Sequence, residues 1–266
     1  MRGAEVLLED LPLLAGRIQK GDLTCREVTR IALERTEKLN PRLNAFITLN
    51  VRAEEEAAAL DRQGHRERPL FGVPVSIKDI LFTRGMATSA GSSVESPKLC
   101  EMRDAAVVGR LRKAGAVIIG KNNLHEFAFG ISNENEHFGP CRNPWNTACV
   151  PGGSSGGSAV AVAAGMVCGS IGTDTRGSIR IPAACCGVSG LKPTRGLVST
   201  SGVIPLSRTL DHVGPLARSV TGVAEMMEVL APDGGTGRYV NLPSGLPRGL
   251  RLGICPYYFR DLSDEV

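Results

Sequence analysis

A chain of 266 residues, 42% of them hydrophobic and with a mean hydropathy of −0.01, can build a sizeable core and has room for one large domain or two small ones. Its 31 basic and 27 acidic residues leave a net charge of +4 with no basic run, which argues against direct contact with nucleic acid. No stretch approaches the roughly 18–20 apolar residues of a membrane span, and Glu5, Glu9 and Asp10 interrupt any apolar signal region near the start, so no membrane partner is expected.

Along the chain, the pattern from Leu23 to Ala59 is helical. "LTCREVTRIALERTEKLNP" opens on a Thr24 cap with Glu27 three residues on, repeats apolar residues at Val28, Ile31, Ala32 and Leu39, and is expected to close at Pro41. "VRAEEEAAALDRQG" predicts a second helix with a glycine at its end, and "DRQGHRER" an exposed connection. Then the period changes. "GVPVSIKDILF" alternates as a strand does, with Val73, Val75 and Ile77 on one face and Ser76 and Lys78 on the other. "AAVVGRLRKAG" reads as a helix, "AVIIG" as a short buried strand, "SAVAVAAGM" as a small-residue helix, "VCGSIGTD" as a strand and "VTGVAEMMEVLA" as a helix. "LPRGLRLGICPYYF" begins a further strand.

Strands alternating with helices imply the α/β class, a mixed or parallel sheet covered by helices on both faces. The expected organisation is one domain over residues 1–266, with N-terminal helices (1–66) packing on a core (67–266). The chain stops just after a fresh strand and an acidic loop, so it is expected to lack its C-terminal part. The eight cysteines form no C-x-x-C pair, and adjacent Cys185 and Cys186 make an unlikely disulfide framework; buried free thiols in a reducing cytoplasm are expected.

Three motif matches fail on context. "GAVIIGKN" (115–122) nearly fits a phosphate loop, but Ala116 to Ile119 should form a strand, and Asn122 replaces the magnesium-binding hydroxyl. "HEFAF" (125–129) lacks the second histidine of a zinc helix, so no metal is expected there. "GGSSG" (152–156) fits G-x-S-x-G, yet a proline-broken loop precedes it where a nucleophile elbow needs a strand, and adjacent Asp211 and His212 are awkward as two separate members of a triad.

A different grouping accounts for more residues. Lys78 ends a strand on its polar face, Ser154 and Ser155 lie in the bare run "PGGSSGGSAV" that leads into a helix, and Ser178 lies in "GTDTRGSIR" after another strand. These segments, with "GKNNLHEFAFG", "FGPCRNPWN", the continuation "IPAACCGVSGLKPTRG" and "LDHVGPLARSV", run in order from about Leu23 onward and together resemble the amidase signature family.

The resemblance implies a Ser-Ser-Lys triad and no cofactor. By motif, Ser178 is the acyl-forming nucleophile and Lys78 the base. Ser154 is the bridging serine, associated in the family with a non-proline cis peptide, and Ser155 supports it. The backbone N–H groups of Thr175, Arg176, Gly177 and Ser178 would form the oxyanion hole. A serine needs a neighbour to take its proton, and a free lysine with a pKa of about 10.4 is almost fully protonated at neutral pH. Burial can lower a lysine by up to roughly 3–5 units, so a dry pocket at Lys78 is expected, with Asp79 directed to the opposite face.

The chain departs from the family at Arg176, where a glycine is usual. Its side chain is expected to point outward, leaving only its N–H in use. Arg180 is expected to form a structural salt bridge. Three functions follow from the resemblance: an amidase acting on a small-molecule amide; the glutaminase (A) subunit of the tRNA-dependent amidotransferase; or an inactive, truncated relative. The corresponding assemblies are a homodimer or, for the second, the amidotransferase partner subunits.

Overall fold

The computed structural model of the chain describes residues 3–94, 102–231, 239–241, 249, 251, 253 and 255–259. Helix α1 (Leu11–Lys20) starts where the Asp10 carboxylate accepts the Leu11 N–H at 3.0 Å, buries Leu11, Leu14, Ala15 and Ile18, and ends at Gly21 with φ +85°. Its apolar spacing is helical, but it falls in a stretch to which the sequence reading assigned no element. Helix α2 (Cys25–Leu43) begins at the expected cap, where Thr24 Oγ1 accepts the Glu27 N–H at 3.0 Å, and it buries Val28, Ile31 and Ala32.

Two expectations for this region are corrected. Pro41 does not close α2, which runs on to Leu43 and stops at Asn44 with φ +50°. The helical pattern from Leu23 to Ala59 is also broken by strand β1 (Phe46–Leu49) ahead of helix α3 (Ala53–Gln63), which ends on Gly64 as expected.

The remaining elements are β2 (Pro74–Lys78), α4 (Ala106–Lys113), β3 (Val117–Asn122), α5 (Gly156–Ala163), β4 (Gly169–Asp174), α6 (Arg180–Cys186), β5 (Ser189–Gly190), β6 (His212–Ala217) and α7 (Val220–Leu230). The strand expected over 246–259 lies largely outside the described residues; within them, Pro256–Phe259 forms a 3-10 turn. No helix among the described residues is long and apolar enough to cross a membrane.

The six strands form one mixed sheet in the order β1-β3-β2-β4-β6-β5. Strands β3, β2 and β4 are parallel, whereas β1, β6 and β5 join antiparallel. Every residue of β2, β3 and β4 is buried. Since successive side chains in a strand point to opposite faces, burial at both parities means that both faces are covered.

The glycines of β4 show by what. A Cβ on Gly169 would meet Met226 Sδ of α7 at 2.5 Å and Leu11 of α1 at 3.2 Å, whereas one on Gly172 would meet Ser155 Oγ at 2.9 Å. One face, shared by Gly169 with Val75, Ile77 and Ile171, is therefore turned toward Leu11 of α1 and Met226 of α7. The other turns Ser76, Lys78 and Ser170 toward α5 and the loop before it.

The second face is a hydrogen-bonded layer. Ser76 Oγ donates to Ser170 Oγ at 2.9 Å, and Ser170 Oγ and Ser158 Oγ approach Asn122 Oδ1 at 3.0 and 3.3 Å. All four residues are 0% exposed. A satisfied polar layer of this kind fixes how α5 sits on the sheet.

Candidate active site

The site lies at the C-terminal ends of the parallel strands β2 and β4, where open α/β sheets place their ligands. Lys78 ends β2 and is fully buried; its Nζ donates to Ser154 Oγ at 2.7 Å and to Thr173 Oγ1 at 2.8 Å. Burial lowers the Lys78 pKa to about 7, against the opposing pull of the Asp174 and Asp211 carboxylates. Asp79 points away, as expected. It pairs with buried Lys121 at 2.8 Å and accepts the Ser89 N–H at 2.9 Å.

Ser154 and Ser155 arrive on the loop before α5. The Gly153–Ser154 peptide is cis, and the bareness of the loop has a steric reason: a Cβ on Gly153 would lie 2.9 Å from Asn133 N, and one on Gly157 would lie 2.5 Å from the carbonyls of Ala45 and Asn123. Asn133 Oδ1 accepts the Gly156 N–H at 3.1 Å, which anchors the first turn of α5. Ser155 joins the loop to β4 and to the next segment. Its Oγ donates to Thr173 O at 3.1 Å and accepts the Thr173 N–H at 3.3 Å, while its own N–H donates to Ser178 O at 3.1 Å.

Ser178 follows β4 in a turn built around Asp174. This fully buried carboxylate accepts the N–H of Gly177 at 2.8 Å and of Ile179 at 3.2 Å. Arg180 completes the set as the expected ion pair, with Nε and Nη2 each 3.0 Å from the carboxylate. Burial works against the charged form of Asp174, but the Arg180 guanidinium and the two backbone donors outweigh it and hold the carboxyl below its usual range. Gly177, at φ +125°, takes the left-handed position of the turn, which leaves Arg176 exposed with an ordinary φ.

The structure thus brings Lys78, Ser154 and Ser155 into one hydrogen-bonded unit, with Ser178 tied to it through the backbone. Among the described residues no hydrogen bond joins the Ser154 and Ser178 hydroxyls. The N–H groups of Thr175, Arg176 and Ser178 have no acceptor among these residues, but Gly177 departs from expectation because its N–H is taken by Asp174. Ser178 opens onto a cleft of about 680 Å³ walled by Phe129, Ile131, Ile181, Leu206 and Leu210.

The failed motifs have structural explanations. Lys121 of the phosphate-loop match is a buried strand residue, held also by Thr88 Oγ1 at 2.8 Å. His212 Nδ1 lies 2.7 Å from the Leu210 carbonyl, and Asp211 accepts the N–H groups of Leu206 and Ser207, so neither serves Ser154. No cluster of three or more His, Cys, Asp or Glu side chains that could hold a metal occurs among the described residues. The seven described cysteines are free, but only four are buried; Cys149, Cys185 and Cys255 are exposed, a correction to the expectation that all would be buried.

Sequence reasoning missed Thr173, Asp174 and Asn133. For Asp174 a signal exists: an acid flanked by threonines at a strand end, three and four residues ahead of a glycine and a serine, is suited to accept turn N–H groups. Thr173 and Asn133 carry none, because their partners are distant in sequence.

Against known proteins, a family model described as Amidase matches residues 27–245. Over 278 aligned residues the chain is 48% identical to the A subunit of the glutamyl-tRNA(Gln) amidotransferase of Nitrosospira multiformis, across 98% of this chain and 56% of that protein. The crystal structure of an amidase superposes with a TM-score of 0.79 at 45% identity, over 84% of this chain and 52% of that one. The peptide amidase of Stenotrophomonas maltophilia gives 0.79 at 43% identity, over 89% and 51%. The chain spans about half the length of the relatives it matches.

Proposed function

The chain belongs to the amidase family, and we propose that the site around Ser178 hydrolyses a carboxylic amide through an acyl-serine intermediate. The observation that carries this reading is Lys78: a fully buried amine with its pKa lowered to about 7, 2.7 Å from a serine hydroxyl. Near neutral pH about half of such an amine is uncharged, and its lone pair can take a proton.

In this mechanism Thr173 fixes Lys78 Nζ while Lys78 accepts the proton of Ser154, and Ser154 accepts that of Ser178. Ser178 Oγ forms a bond to the amide carbon. The free N–H groups of the 175–178 turn receive the developing oxyanion, each worth about 2.7–4 kcal/mol of barrier. Gly177 contributes its left-handed backbone and Asp174 the anchor that holds the turn. Collapse breaks the carbon–nitrogen bond, and the leaving amine takes the proton back through Ser154. Water then attacks the acyl carbon by the same relay and frees Ser178.

The test is a fluorophosphonate probe followed by mass spectrometry. One adduct on Ser178 is expected, absent in Ser178→Ala; a cooperatively folded chain that takes no adduct would overturn the catalytic reading and favour an inactive relative.

A second reading, the glutaminase component of a tRNA-dependent amidotransferase, is favoured by the curated relatives, which bear the name of that enzyme's A subunit at 42–49% identity. Glutamine hydrolysis that appears only when the partner subunits are added would select it. The free thiols suit a reducing cytoplasm in either case.

A further inference from the structure

The cleft beside Ser178 has one unusual wall. Its lining is apolar at Ala128, Phe129, Ile131, Ile181, Leu206 and Leu210, and Arg176 is the one charged side chain among its lining residues. Phe129 and Ile131, which both line the cleft, are 76% and 66% exposed.

Arg176 differs from the arginine four residues on. Arg180 is spent on Asp174, whereas the Arg176 guanidinium makes no ion pair or hydrogen bond among the described residues. The acids of the turn and beside it are already engaged: Asp174 pairs with Arg180, and Asp211 accepts from Leu206, Ser207 and Thr175. The ordinary φ of Arg176 shows that its backbone does not require a glycine, so the side chain is not excluded from the cleft mouth by the geometry of the turn.

We propose that the Arg176 guanidinium, set at the rim of the apolar cleft that opens on Ser178, selects amides whose apolar chain carries a carboxylate. The inference rests on the amidase reading and names its substrate class. Arg176 stands two residues before Ser178, at most about 7 Å along the backbone, so the carboxylate belongs on the same short chain as the scissile carbonyl. A guanidinium can hold a carboxylate with two parallel N–H donors, while the apolar walls receive the chain that joins it to the amide.

The test compares adipic acid monoanilide with hexanoic anilide, which share chain length and differ in the terminal carboxylate. Isothermal titration into the Ser178→Ala variant measures binding without turnover. The monoanilide is expected to bind on the order of tenfold tighter, with the preference falling in about 1 M NaCl. Adding Arg176→Gln should bring the two affinities together, and Arg176→Lys should restore part of the difference. Equal affinities, no binding of either anilide, or a preference that Arg176→Gln leaves in place would overturn the proposal. A binding preference that persists while the parent chain neither hydrolyses the anilides nor takes the fluorophosphonate would overturn the amidase reading alone.

Discussion

The two faces of the central sheet are built from the same strands and do different work. Toward α1 and α7 the sheet presents Val75, Ile77 and Ile171, all 0% exposed and with nothing but packing to satisfy. Toward α5 it presents Ser76, Lys78 and Ser170, equally buried, each needing a partner for every polar atom. The first face stabilises by removing apolar area from water and is most tolerant of apolar side chains of similar volume. The second admits only the arrangement that satisfies its donors and acceptors, and it ends on an amine and the hydroxyls beside it. Specificity of structure and chemistry share that face.

The comparison is tested most severely at Lys78. Replacing it with Met is expected to slow fluorophosphonate labelling of Ser178 by about a thousandfold, or about 4 kcal/mol of barrier. The same change should also alter how stability depends on pH. The folded pKa of Lys78, about 7, lies below its unfolded value, so the unfolded chain binds the extra proton between about pH 7 and pH 10.4. The parent therefore gains stability as pH rises through that window and is least stable below it. Lys78→Met should flatten this dependence in urea titrations at several pH values. In the parent, labelling should rise as pH increases through about 7, following the neutral amine. A variant that labels at the parental rate would remove Lys78 from the mechanism.

On the apolar face, Ile171→Ala is expected to cost about 2–5 kcal/mol in urea unfolding, with little pH dependence, because it leaves a cavity between β4 and the helices over it. Smaller is the effect of Ser170→Ala, which removes one donor to Asn122 Oδ1 while Ser158 keeps another. A loss of about 0.5–1.5 kcal/mol is expected, accompanied by slower labelling if the polar layer sets the height of Ser154 above the sheet. Equal penalties at Ile171 and Ser170, with no change in labelling, would erase the distinction between the faces.

Much of the architecture was legible locally. The Thr24 cap and the alternation through 72–78 report directly on backbone hydrogen bonding and on which side chains share a face, and both need only neighbouring residues. Strand β1 was not legible. Four residues between two helices carry too short a pattern, and they pair with β3 only because Gly120 has no Cβ, which would otherwise sit 2.3 Å from Thr48 O. Pro41 misled for a related reason: in the last turn of a helix the missing N–H removes a single bond, and Asn44 supplies the stop that the proline was expected to give.

By itself the sequence determined the side chains on offer, a lysine at a strand end and serines in two bare segments, and its resemblance to a family suggested roles for them. Tertiary structure alone decided which of these groups meet. Lys78 and Ser154 are 76 residues apart in the chain and meet because parallel strands bring their C-terminal ends to one edge, where the loop before α5 lands. The lowered pKa of Lys78 likewise belongs to no residue. Desolvation sums everything packed around the amine, and that quantity exists only once the chain has folded.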